Sequence, residues 1–131
     1  MITKEKVKEI IEIYSEAWKN QGVEQILTIF TKDAKYQEGF LSEPMVGHEE
    51  IRKYWNKKVV LEQKSIQFKL VRIMIDGNDC LVEWHAEFDD LVSGEHVKMV
   101  EVAFLEFLGD MVSSLRENWD TIRIPIAQKI V

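Results

Sequence analysis

From Val7 onward, apolar residues return at Ile10, Ile11, Tyr14, Ala17 and Trp18. This is the i, i+3, i+4 stripe of one helix face, and Gly22 offers a stop after it. A second, shorter stripe of Val23, Ile26, Leu27 and Phe30 predicts another helix, interrupted at Thr31-Lys32-Asp33. The period then changes to two. Ala34, Tyr36, Glu38 and Phe40 share one side of a short strand, with Lys35 and Gln37 on the other. Gly39 to Gly47, with Pro44 inside it, reads as a loop, and His48 to about Lys58 reads as a third helix packing through Ile51, Tyr54 and Trp55.

Beyond that helix the pattern is all sheet. Ser65 to Asp76 is rich in β-branched and aromatic residues, Gly77-Asn78 signals a turn, and Cys80 to Leu91 alternates apolar and polar side chains. Ser93-Gly94 turns into His96 to Leu108, and Gly109-Asp110 turns into Met111 to Ile124. A helical half followed by a four-stranded meander predicts an α+β fold, one domain over residues 1–131. No repeats or linkers divide it. Strand parity sorts the side chains: Val82, Trp84, Ala86 and Phe88 form the apolar face of their strand, leaving Glu83, His85 and Glu87 opposite. In the last long strand Leu115, Glu117 and Trp119 face inward.

Bulk properties narrow the function classes. The chain has 131 residues, 46% hydrophobic and 31% charged, and a formal net charge of −6. Its Lys and Arg are scattered, so the concentrated positive field that a phosphate backbone needs is missing and nucleic acid is not an expected partner. Apolar runs are only a few residues long, so no membrane span is expected. The alternating charges of Ile2-Thr3-Lys4-Glu5-Lys6 do not resemble a secretory signal, and Cys80 is the only cysteine. Both favour a cytoplasmic, reducing setting and leave no multi-cysteine metal site.

The order of elements and several local strings resemble the NTF2-like superfamily, in particular its SnoaL-like and ketosteroid-isomerase-like branches. The strings are Tyr14 to Trp18, Phe30-Thr31-Lys32-Asp33-Ala34, Gly47-His48-Glu49-Glu50-Ile51, Val82-Glu83-Trp84 and Leu115-Arg116-Glu117-Asn118-Trp119-Asp120. The resemblance implies a cone: three N-terminal helices packed on a curved, mostly antiparallel sheet around an interior pocket, commonly as a homodimer. It does not imply one activity, because the scaffold serves isomerases, epoxide hydrolases, dehydratases, cyclases and binding domains. By the same analogy Met99, Glu101, Ala103, Leu105 and Phe107 face inward, leaving Val100, Val102 and Phe104 outside. An apolar strip there would be costly in water, so a second copy of the chain is expected to cover the outer sheet face. Tyr14 and Glu38 match the ketosteroid isomerases' hydrogen-bonding tyrosine and proton-shuttling acid, while Ala103 stands where their second donor would be. Glu117 matches one catalytic acid of the limonene epoxide hydrolase branch, whose arginine and aspartate positions are occupied here by Trp84 and Ala86.

Candidate chemistry follows from these placements. Glu38, Glu101 and Glu117 fall on inward positions that are otherwise apolar or aromatic, where desolvation raises a carboxyl's pKa toward general acid or base values. Each could instead reach water near a strand end or pair with Arg72 or Arg116. Tyr14 is either a donor to a ligand oxygen or ordinary core. Trp18, Tyr36, Trp55, Phe68, Trp84 and Trp119 either wall a pocket for a small hydrophobic organic molecule or fill the core themselves. Glu83, His85 and Glu87 share one strand face, but same-face residues lie roughly 7 Å apart, too far for all three to close on one metal ion. His48 and His96 are expected to face solvent, and Cys80 to be core.

The expectation from sequence is a small-molecule-binding domain, and within that an isomerase, cyclase or hydratase-type enzyme working by proton transfer with no cofactor and no metal. In it Glu38 is the base, Tyr14 the donor, and Glu101 or Glu117 the alternative acid. A non-catalytic binding domain for a hydrophobic metabolite and a dimerisation module are the other two readings.

Overall fold

A computed structural model describes residues 1–129, with side chains through residue 127; the last two residues of the expected 1–131 domain lie outside the described residues. Helix α1 (Lys4–Asn20) begins where the Thr3 hydroxyl accepts a hydrogen bond from the Lys6 amide at 3.2 Å, satisfying one of the free donors of the first turn. Its stripe of Val7, Ile10, Ile11, Tyr14, Ala17 and Trp18 is buried. The stop expected at Gly22 falls one residue earlier: Gln21 takes the left-handed conformation, with φ 56°, while Gly22 does not. Long-range contacts hold Gln21 there, its side-chain amide donating to the carbonyls of Val59 at 2.8 Å and Gln63 at 2.7 Å.

Helix α2 (Val23–Leu27) is followed by β1 (Phe30–Glu38). Phe30, expected on the second helical stripe, therefore opens the strand; helix and strand are only two residues apart, and one apolar side chain satisfies either period. At the other end Gly39, with φ 77°, breaks the strand, so the parity does not carry to Phe40. Phe40 is half exposed rather than inward, and its ring lies 5.0 Å beneath the Arg116 guanidinium. A two-residue strand β2 (Met45–Val46) lies in the expected loop and pairs antiparallel with β1. Helix α3 (Gly47–Trp55) is shorter than its sequence pattern, because residues Asn56–Leu61 open into a π-helical turn.

The four long strands follow the predicted meander: β3 (Gln63–Asp76), β4 (Asp79–Asp90), β5 (Glu95–Leu108) and β6 (Met111–Pro125), with a short helix α4 (Ile126–Lys129) after them. The sheet order is β2-β1-β6-β5-β4-β3, antiparallel throughout except where β1 runs parallel to β6. This is the expected α+β cone with a six-stranded sheet wrapped over the helices. Inward residues Val82, Trp84, Ala86 and Phe88 of β4 and Glu101, Ala103, Leu105 and Phe107 of β5 are buried against α1 and α3. His96 corrects the expectation of a solvent-facing histidine. It is 7% exposed, because Asp89 across the β4–β5 ladder and Glu87 two residues on clasp its Nδ1 and Nε2 at 2.9 and 2.8 Å.

Candidate active site

Between the sheet and the helices lies a half-open cavity of about 140 Å³, and the register explains which carboxyls reach it. Glu38 at the end of β1 is paired with Glu117 of β6; Glu117 in turn faces Ala103 of β5, and Glu101 faces Trp119. Three carboxyls on three adjacent strands thus share one side of the sheet, and Ala103 opposite Glu117 presents only a methyl group. Glu101 and Glu117 are 3% and 4% exposed, whereas Glu38 is partly open at the mouth.

Two tyrosines close on the centre of this group. The Tyr36 hydroxyl donates to Glu117 Oε1 at 2.6 Å, the Tyr14 hydroxyl donates to the same oxygen at 3.2 Å, and the two hydroxyls are 3.2 Å apart. Glu101 and Glu117 also share a hydrogen bond, which requires one of them to hold a proton. Burial is the main cause that pushes Glu117 up to about 7, with Glu38's charge adding to it, while the hydrogen bonds from Tyr36, Tyr14 and Glu101 act the other way. Glu101 is pushed well above the carboxylate range by burial first and by the neighbouring Glu117 charge second. Burial likewise pushes both tyrosine hydroxyls well above their ordinary range. They are donors, not phenolates.

The structure separates the predicted site residues into two groups. Tyr14, Trp18, Tyr36, Glu38, Trp55, Glu101, Glu117 and Trp119 border the cavity. Phe68 and Trp84 do not; they stack behind it, ring centres 5.4 Å from each other and 6.2 and 5.0 Å from Tyr14, and Trp84 is fully buried. Trp119 stands at the rim, half exposed. Trp18 is tied to the rim by its indole N–H donating to Gln63 Oε1 at 2.7 Å, and the Trp55 indole N–H has no partner among the described residues.

Sequence reasoning missed several wall residues. Tyr54, which hydrogen-bonds Glu38 and packs 5.3 Å from the Tyr36 ring, was legible only as a packing residue of α3. Lys58 and Glu62 border the mouth from the π-helical turn and its end, Asp90 from β4 and Arg123 from β6. Only the ion pairs Lys58–Glu62, a helical i, i+4 spacing, gave any sequence signal; Arg123–Asp90 joins strands β6 and β4.

Comparison with known proteins agrees with this architecture. The SnoaL-like domain pattern matches residues 11–115, from within α1 to the middle of β6. The chain belongs to the SnoaL-like domain family. That places it in the NTF2-like superfamily, as the strings around Tyr14, Gly47 and Glu117 suggest. No curated protein sequence matches significantly. Among solved structures, the epoxide hydrolase/cyclase-like enzyme SalBIII, of pyran ring formation in the polyether salinomycin, superimposes with a TM-score of 0.77 at 22% identity, over 92% of this chain and 95% of that one. A protein of ketosteroid isomerase-like fold from Catenulispora acidiphila, solved with trimethylamine, gives 0.74 at 15% identity over 84% of each chain. An LEH-like epoxide hydrolase from M. tuberculosis gives 0.71 at 15% identity, over 88% of this chain and 83% of that one. At these identities the likeness is one of fold.

Proposed function

We propose that the cavity is the active site of an enzyme that opens or closes a carbon–oxygen ring in a small organic substrate by general acid–base catalysis. The observation that carries this reading is the pair of carboxyls, Glu101 and Glu117, buried together at the cavity wall, where burial favours the protonated form and lets one hold a proton while the other loses it. In that state one partner is an acid and the other a base, the division of labour such a reaction needs. Glu117 takes the proton from an attacking water or substrate hydroxyl as its oxygen bonds to carbon. The ring C–O bond breaks, and its oxygen receives the proton of Glu101. Transfer of the new proton from Glu117 to Glu101 across their hydrogen bond restores the starting state. Tyr36 and Tyr14 keep Glu117 in place and limit how far burial raises its pKa. Glu38, the base expected from sequence, lies at the mouth beside Tyr54, a position suited to orienting the substrate. Solved neighbours of epoxide hydrolase and cyclase type support the reaction class.

Cavity size limits the substrate. A cavity of about 150 Å³ takes one benzene-sized molecule, so steroid-sized ligands do not fit unless the mouth widens. The test is turnover of a panel of small epoxides and hydroxy-epoxides by the full chain, followed by NMR. Glu117→Gln should lower turnover by about 10²–10⁴-fold with an unchanged circular dichroism spectrum. The rate should rise with pH through about 7 as Glu117 ionises. Equal turnover by wild type and E117Q would remove Glu117 from the mechanism.

The second reading, a binding domain without chemistry, is favoured by how much of the aromatic cluster is packed against itself rather than against the cavity. Ligand-induced tryptophan quenching with no product from any member of the panel would select it. The same proposal places the protein in the cytoplasm, supported by a single buried free thiol, Cys80. Among the described residues no helix is long and apolar enough to cross a membrane.

A further inference from the structure

Among the described residues, the carboxyls that border the cavity outnumber the cations. Among the described residues five carboxyl groups border the cavity: Glu101 and Glu117 on the inner wall, and Glu38, Glu62 and Asp90 toward the mouth. Against them stand two cations, and both are committed: Lys58 pairs with Glu62 at 3.4 Å, and Arg123 with Asp90 at 3.0 Å. Among the described residues, no cationic side chain is a main influence on Glu101 or Glu117. Glu101 Oε2 is buried at the cavity wall with no hydrogen-bond partner among the described residues. A buried polar atom left without a hydrogen bond is costly.

The rest of the wall supplies the other half of a recognition site. Tyr14, Trp18, Tyr54, Trp55 and Trp119 border the same space, so aromatic rings surround a hollow whose wall carries the carboxyls. The faces of such rings are electronegative, and together with a carboxylate they hold a desolvated alkylammonium group better than any neutral group of the same shape.

We infer that the cavity recognises a small organic ammonium group, so that the substrate of the proposed acid–base reaction carries an amine beside its reacting oxygen. The inference rests on that reading for the word substrate only, since binding is measured without turnover. An alkylammonium of four or five heavy atoms is within the size of this cavity. Its charge would supply what the inner wall lacks, and its alkyl groups would lie against the rings. Binding would also ionise the carboxyls: burial, with Glu38's charge beside it, holds Glu117 near 7, and burial, with Glu117's charge beside it, pushes Glu101 up as well, so a cation should bind more tightly as pH rises and protons leave. The other titratable groups facing this pair are Tyr14 from α1, Tyr36 and Glu38 from β1, and Tyr54 from α3. The three tyrosines stay protonated in the range used, all being pushed above their ordinary values.

The test uses the full chain with tetramethylammonium chloride and, as the neutral compound of matching shape, tert-butanol, titrated by tryptophan fluorescence at constant ionic strength. Tetramethylammonium should bind at least about ten-fold more tightly than tert-butanol at pH 8. That preference should shrink several-fold at pH 5.5 and should be lost in E117Q. Glu83→Gln on the outer face should leave it intact, which separates the cavity from general surface charge. A rim variant, Trp119→Phe, keeps the test open should E117Q not fold; it should weaken tetramethylammonium more than tert-butanol. Equal binding of the two probes at pH 8, or no tetramethylammonium binding there, would overturn the inference, even if neutral epoxides were turned over. Selective cation binding with no turnover of amino-epoxides would support recognition and count against the proposed catalysis.

Discussion

Glu117 shows how one residue's surroundings couple chemistry to stability. Its folded-state pKa of about 7 lies above the ordinary 4.5, so between these values the folded chain holds a proton that the unfolded chain has lost. The stabilisation is complete below about 4.5 and disappears as pH rises through about 7, with a slope approaching 1.4 kcal/mol per pH unit at its steepest. Wild-type protein should therefore lose thermal stability between pH 5 and pH 8. Glu117→Gln, which cannot ionise, should show a distinctly flatter profile by calorimetry; parallel profiles would mean that Glu117 does not titrate there. Parity placed Glu117 inward from sequence, but it could not say that Tyr36 and Tyr14 would meet it, since these residues are separated by 81 and 103 positions.

At the scale of elements, the clean periods survived and the short segments did not. The stripe of α1 and the alternation of β4 each offer many side chains that agree on one face, so local pattern decided them. Between Phe30 and Leu61 each element has few votes, and tertiary contacts decided. Phe30 became strand, Phe40 left it at Gly39, and α3 gave way to a π-helical turn that brings Lys58 and Val59 to the cavity. Gly47 controls where α3 begins, and hence where Tyr54 and Trp55 arrive. Its φ of 86° is one that side chains resist, whereas an added Cβ would lie 3.6 Å from the Lys32 carbonyl, an ordinary contact. Gly47→Ala should consequently cost about 1 kcal/mol in urea denaturation through backbone strain alone. A neutral effect would show that the junction relaxes.

For the molecule as a whole, the outer sheet face is the counterpart of the cavity. Val100 and Val102 are 44% and 39% exposed and Ile122 is 69% exposed, an apolar strip across β5 and β6 flanked by Lys98 and Asp120. Covering it by a second copy remains the proposal drawn from sequence, and the exposed strip supports it. Light scattering should give a dimer for the wild-type chain, and Val100→Lys together with Val102→Asp should shift it to monomer without loss of circular dichroism. A wild-type monomer at micromolar concentration would reject the proposal.

The chain's own pattern determined the helical half, the four-stranded meander and which strand faces look inward, because these depend on the identity of neighbours in sequence and on the fixed periods of helix and strand. It also placed Glu38 and Glu117 on the inner side of the sheet, while the family resemblance was needed to place Glu101 there. Only the tertiary structure decided that Glu101 and Glu117 would be buried together, that two tyrosines would bond to one of them, and that Phe68 and Trp84 would pack behind the cavity rather than line it. The reason is that desolvation and hydrogen-bond partnership depend on distances set by sheet register and curvature, which bring together groups far apart in the chain.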